Sequence, residues 1–209
     1  IENPEGNVVE NFNGTLNYRL YDNKNNITTR SNTGNDPFTY TDWDKEINLG
    51  IDSIRNGKFE TSLIIPKDIS YSDENGRLVF YATDNKNKIE ANGYNEAFLI
   101  GGYSSDADND TIGPDIFIYL NDKSFADGEA VGSNPTFVAE LFDESGIQYN
   151  GNGLGHDLQL CIDGDPKKTY NLNSYYTPSA SNYKQGLITF NKMPELEIGA
   201  HNLSFRAWD

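Results

Sequence analysis

Asp106, Asp108 and Asp110 stand at alternating positions in the run Ser105-Asp106-Ala107-Asp108-Asn109-Asp110-Thr111. Carboxylates at this spacing can wrap a hard cation, because calcium takes oxygen ligands from a loop. An EF-hand loop counted from Asp106 needs glycine where Thr111 stands and glutamate where Phe117 stands, and both positions fail. The expectation is a calcium site of low specificity at Asp106, Asp108 and Asp110, with a solvated acidic linker as the plain alternative. Cys161 is the one thiol. A cysteine nucleophile needs a depressed pKa and a basic partner. His156 precedes Cys161 by a run of strand-like residues spanning roughly 16 Å, too far for direct contact. Cys161 therefore reads as a small strand residue. Gly151-Asn152-Gly153-Leu154-Gly155 has the glycines of a phosphate loop but no following helix and no Lys-Ser/Thr pair. His156 and Asp157 read as pins for that loop, and His201, after Gly199-Ala200, as the ordering residue of a hairpin. Two histidines and one cysteine make no zinc set. No catalytic residue and no organic cofactor is expected.

The elements that hold these residues are strands. Leu16, Tyr18 and Leu20 alternate, so they share one face of a strand. Ile47, Leu49 and Ile51 alternate again, and Asn56-Gly57 marks a hairpin turn leading into a strand over Phe59–Ile65, stopped by Pro66. Leu78, Phe80 and Ala82 line one face of the next run, and Phe98-Leu99-Ile100 closes the half. Residues 101–114 lose apolar content and gather turn formers. The expected organisation is a domain over 1–103, an acidic linker over 104–114 and a domain over 115–209. The second half restarts at Asp115–Leu120, and continues with strands at Thr136–Phe142, Leu158–Ile162, Gly186–Phe190 and Asn202–Trp208. Phe80-Tyr81-Ala82-Thr83-Asp84 and Phe205-Arg206-Ala207-Trp208-Asp209 share an aromatic-x-Ala-x-Asp ending, and Tyr21-Asp22-Asn23 resembles Leu141-Phe142-Asp143. A further strand follows Asp84, whereas Asp209 has none after it, which predicts an open sheet edge in the second domain.

Composition sets the class. The chain has 209 residues, 36% hydrophobic but 12% aromatic, with a mean hydropathy of -0.67. Few aliphatics and many large rings suit thin two-sheet cores. The net charge of -16 repels phosphate backbones and anionic lipid, so nucleic acid is excluded as a partner. One cysteine permits no internal disulfide. No apolar run approaches the length of a membrane-spanning helix. The fold expected is all-β, with two immunoglobulin-like β-sandwich domains in tandem.

Several stretches resemble a known family in their order along the chain. They are Asp36-Pro37-Phe38-Thr39-Tyr40-Thr41-Asp42, Asn56–Phe59 leading to Ile65–Ile69, and Ala91–Tyr94 leading to Phe98–Gly102. Gly113–Ile116, Gly151–Tyr176 and His201–Asp209 complete the set. Together they resemble the C-terminal, non-catalytic region of the gingipain-like cysteine peptidases that act as sortases in the bacterial type IX secretion system. The resemblance implies a surface protein of a Bacteroidetes-type bacterium, located on the extracellular face of the outer membrane. It implies a Cys-His peptidase dyad in a separate domain that processes and anchors secreted cargo. No position here matches that dyad. The resemblance thus implies accessory domains whose partners are other domains of the same chain, secretion-system components or cargo protein.

Two other functions fit the residues. Exposed rings among Tyr40, Trp43, Tyr175, Tyr176 and Tyr183 would suit a carbohydrate-binding β-sandwich module of a bacterial surface glycan system. A β-sandwich hydrolase using paired carboxylates is the third reading, although no spacing singles out a pair.

Overall fold

The computed structural model describes residues 1–66, 69–70, 74–102, 110–151 and 155–209. Asp106 and Asp108 lie outside the described residues, as do Asn152, Gly153 and Leu154 of the glycine-rich loop. The protein is all-β: its described helical turns are two three-residue 3-10 segments, Pro166–Lys168 and Asn173–Tyr175. The chain divides into two compact units, Ile1–Ala107 and Asp108–Asp209.

The first unit contains β1 (Gly14–Tyr21), β2 (Asn25–Thr28), β3 (Thr39–Asp42), β4 (Glu46–Ile54), β5 (Glu74–Asn75), β6 (Arg77–Asp84), β7 (Ile89–Asn95) and β8 (Leu99–Ile100). Its main sheet is antiparallel in the order β4-β1-β6-β7, with β2-β3 and β5-β8 as separate pairs. The period of two in β1 does what it predicts: Leu16, Tyr18 and Leu20 are buried while Thr15, Asn17 and Arg19 are not. Phe12, Leu16, Tyr18, Ile54 and Ala82 form one cluster, and Leu20, Ile47, Ile69 and Ile100 a second.

Two expectations fail here for local reasons. β4 buries Gly50, Asp52 and Ile54 rather than Leu49 and Ile51, because a register shift between Leu20 and Tyr21 brings Ile47 onto the inner side out of phase. Gly50 sits directly opposite Tyr18, whose ring occupies the space a β-carbon would need. Phe59–Ile65 joins no sheet. It is tied by side-chain hydrogen bonds, Tyr18 Oη donating to the Ser62 carbonyl and Asn48 Nδ2 to the Ile64 carbonyl, while Leu63 packs against both core clusters.

The second unit contains β9 (Asp115–Leu120), β10 (Phe137–Phe142), β11 (Gln159–Ile162), β12 (Thr169–Asn171), β13 (Tyr176–Ser179), β14 (Asn182–Phe190) and β15 (Leu203–Arg206). These form two antiparallel sheets, β13-β14-β10-β9 and β12-β11-β15. Ring contacts clamp the sheets face to face: Phe137 of β10 lies 5.5 Å from Phe205 of β15, and Tyr170 of β12 lies 5.8 Å from Phe190 of β14. Leu158, Leu160, Ile162 and Ile188 are wholly buried between them. Each fully buried aliphatic of this size contributes about 1.5–3 kcal/mol.

Sheet β12-β11-β15 repeats part of β4-β1-β6-β7. Tyr18 faces Phe80 and Leu20 faces Leu78 across β1-β6; Leu160 faces Phe205 and Ile162 faces Leu203 across β11-β15. The aromatic-x-Ala-x-Asp echo thus falls on strands in equivalent places. The Tyr21-Asp22 and Phe142-Asp143 likeness does not, since the counterpart of β1 is β11 and not β10.

Candidate functional site

Topology gathers carboxylates at one end of the second unit. Antiparallel pairing sets Asp115, at the start of β9, opposite Phe142, at the end of β10. Asp110, just before β9, and Asp143, just after β10, therefore meet. Asp209 follows Trp208, whose carbonyl accepts from the Gln148 N–H. Asp110, Asp143 and Asp209 each bring a carboxylate oxygen within 4.8 Å of the others. Asp110 Oδ2 accepts from Ser145 Oγ at 2.5 Å and its Oδ1 from the Ile112 N–H at 2.9 Å.

Asp143 is the unusual member, at 5% exposure. Its Oδ1 accepts from the Ser145 N–H at 2.7 Å. Burial pushes its carboxyl above the ordinary value, the Ser145 N–H opposes this, and the charges of Asp209 and Asp110 push it further up. A divalent cation would reverse that balance, and oxygen-only ligands fit a hard one. Of the three aspartates expected to ligate, then, Asp110 enters an acidic cluster, with two partners remote in sequence. Asp143 carried a signal in the sequence: an acidic residue directly after the apolar run Phe137–Phe142 is at risk of burial. Its meeting with Asp110 and Asp209 depends on strand pairing that no local pattern encodes.

The reactive side chains lie elsewhere. Cys161 is half-buried, with its thiol 3.6 Å from the Asp165 carbonyl. His156 packs on Trp208 at 4.8 Å between ring centroids. His201 Nδ1 donates to Asp163 Oδ2 and Nε2 to the Glu197 carbonyl, both at 2.9 Å. A carbonyl and a carboxylate both require donors, so the arrangement favours the imidazolium, and the Glu197 carbonyl first and Asp163 second raise the His201 pKa.

The rings proposed for sugar stacking differ in exposure: Tyr175, edge-on to Phe190 at 4.9 Å, and Tyr183 are half-buried. Tyr176 is core, stacked on Tyr149 at 4.9 Å, with its ring over Gly186 and its hydroxyl pKa raised by burial. Trp43 is half-buried beneath two cations, Lys24 Nζ at 4.0 Å and the Arg77 guanidinium at 4.8 Å from the ring centre. Tyr40 is open, 40% exposed, and stacks at 6.3 Å on Phe38, which is 66% exposed.

No helix among the described residues is long and apolar enough to cross a membrane. No family model matches the chain, and no curated protein matches it. Among solved structures it is similar to dimeric latent PorU from Porphyromonas gingivalis, with 36% identity over 100% of this chain and a TM-score of 0.56. The chain spans 19% of the length of that solved protein.

Proposed function

We propose that this segment is a pair of non-catalytic, immunoglobulin-like modules of a surface-located gingipain-like sortase, supporting the peptidase domain and positioning cargo or secretion-system components. The whole-length similarity to a segment of PorU carries this reading. The surroundings of Cys161 and both histidines support it, since each is engaged with backbone, carboxylate or ring rather than with one another. The domains would meet within residues 104–114, and sheet edges and loops would supply the contact surfaces. The test mixes the purified 209-residue chain with the separately expressed peptidase domain of its parent protein. Saturable binding by calorimetry, with no peptide hydrolysis by the 209-residue chain alone, is the expected result. Hydrolysis abolished by Cys161→Ser overturns the reading.

The calcium assignment shifts with the geometry: Asp110, Asp143 and Asp209 would be the protein ligands among the described residues. A second reading, glycan binding, rests on the open Phe38–Tyr40 stack rather than on Trp43. Retention on a glycan array, lost in Tyr40→Ala, would select it.

A further inference from the structure

The outer face of the main sheet in the first unit changes character from one end to the other. On that face the registers line side chains up in rows across the strands. Ser53, Thr15, Thr83 and Glu90 form one row, the polar surface that an antiparallel sheet ordinarily turns to water. Ile51, Asn17, Tyr81 and Asn92 form the next, and Leu49, Arg19, Val79 and Tyr94 the one after. Leu49, Ile51 and Val79 are half-buried and make an apolar floor. Tyr81 is 43% and Tyr94 66% exposed. They are diagonal neighbours on β6 and β7, which sets their β-carbons about 7 Å apart. Tyr81 stands between two amides, Asn17 on β1 and Asn92 on β7.

Both rings are held in place without being buried. The Tyr81 hydroxyl donates to the Glu90 carboxylate. The Arg77 guanidinium lies 5.1 Å from the centre of the Tyr94 ring, and is itself held by the Trp43 ring at 4.8 Å and by Glu96 at 3.3 Å. Arg19 is paired with Glu46 at 2.7 Å. Every charged group in these rows is thus engaged with a neighbour. The amides of Asn17 and Asn92 differ: neither side chain has a hydrogen-bond partner among the described residues. Each offers two donors and an acceptor to a ligand.

We infer that this face is a binding platform for a neutral glycan: Tyr81 and Tyr94 stack on the apolar faces of neighbouring sugar rings, and Asn17 and Asn92 bond their hydroxyls. The rings bury ligand surface at little entropic cost because they are already held, and the two amides fix its orientation. An anionic glycan would meet Glu90 and a chain of net charge -16, and its charges would find both arginines already paired, so electrostatics select a neutral one. The inference is independent of the sortase reading, and its surface is not the Phe38–Tyr40 stack.

The test runs the 209-residue chain by affinity electrophoresis through gels containing β-glucan, mannan, xylan or polygalacturonate. Retardation by one of the three neutral polysaccharides is expected, weakened by about tenfold or more in Tyr94→Ala and in Asn92→Ala and unchanged in Tyr40→Ala. Both substituted positions are exposed, and an unaltered thermal midpoint shows that the variants fold. No retardation by any neutral polysaccharide overturns the proposal, as does retardation by polygalacturonate alone. Retardation lost in Tyr40→Ala but kept in Tyr94→Ala moves the glycan to the β2-β3 hairpin, which overturns this site and leaves the other reading standing. A dimer in solution that Tyr94→Ala breaks puts a second copy on the face and overturns the proposal as well.

Discussion

Two aspartates stand at the ends of buried strands, one in each unit, and their surroundings differ in kind. Asp22 follows β1 and is fully buried; Asp143 follows β10 and is nearly so. Asp22 receives the Asn23 N–H at 2.9 Å, the Ser70 N–H at 2.7 Å and Lys45 Nζ at 3.2 Å. Burial raises its pKa, but these donors together outweigh it and hold the carboxyl below its ordinary value. Asp143 has the Ser145 N–H and two neighbouring carboxylates, and its pKa is raised. One local pattern, an apolar strand ending in Asp, thus gives a charge held by donors in one place and a charge under repulsion in another. The strand pairing decides which, and a site that stores repulsion is where a cation has most to offer.

The largest expected effect tests the Asp22 side. Asp22→Ala removes the acceptor of one buried and one part-buried N–H group and one partner of the Lys45 ammonium, which should cost about 3 kcal/mol of stability at neutral pH. Chemical denaturation of the first unit reads it. A loss under about 1 kcal/mol would mean that the donors find water and the contrast with Asp143 is smaller than the geometry indicates. The pH dependence follows from the lowered pKa: the Asp22 contribution is present at neutral pH and is lost as pH falls through the native value, below about pH 4.

Asp143→Asn should act in the opposite direction. Without added metal it removes repulsion, and a gain of about 1 kcal/mol would raise the midpoint of the second unit by roughly 4 °C. A raised carboxyl contributes stability below its unfolded pKa and loses it as pH rises through the native one, so the wild-type unit should firm up as pH falls from 7 toward 4, the opposite of the Asp22 trend. Millimolar calcium should stabilise the wild-type unit and leave Asp143→Asn unmoved. Equal calcium response in both proteins would remove Asp143 from any cation site.

How much of this was readable in advance follows from the range of each interaction. The buried face of β1 is a period-two pattern, local by nature, and Leu16, Tyr18 and Leu20 revealed it. The Asp84 and Asp209 echo was also local, and the registers Tyr18–Phe80 and Leu160–Phe205 give it structural meaning. The alternation of Ile47, Leu49 and Ile51 does not mark the buried face of β4, because Ile47 is an extra, bulged residue within β4 that shifts its phase. Phe59–Ile65 has every strand signal, yet side-chain bonds to Tyr18 and Asn48 hold it where a ladder was expected. Asp143 was legible as an oddity only, since Asp110 and Asp209 reach it through pairings separated by tens of residues.

Asp163 offers a third solution to the same problem, and the smallest effect. Its Oδ1 accepts the Asn202 N–H at 2.9 Å, and its Oδ2 faces His201 Nδ1 at 2.9 Å and Lys168 Nζ at 3.7 Å. His201 bridges from there to the Glu197 carbonyl, so one imidazolium fastens the 197–201 segment to the end of β11. Because the His201 pKa is raised, this contribution is complete below about pH 6.5 and declines as pH rises through the higher native value. The second unit should therefore lose a little thermal stability between neutral and mildly alkaline pH. His201→Gln should flatten that slope, because an amide does not titrate and its NH2 group can keep only one of the two contacts. An imidazole titration by NMR gives the direct reading: a midpoint at or below that of a free histidine would show that Asp163, unlike Asp22, is satisfied without a cation.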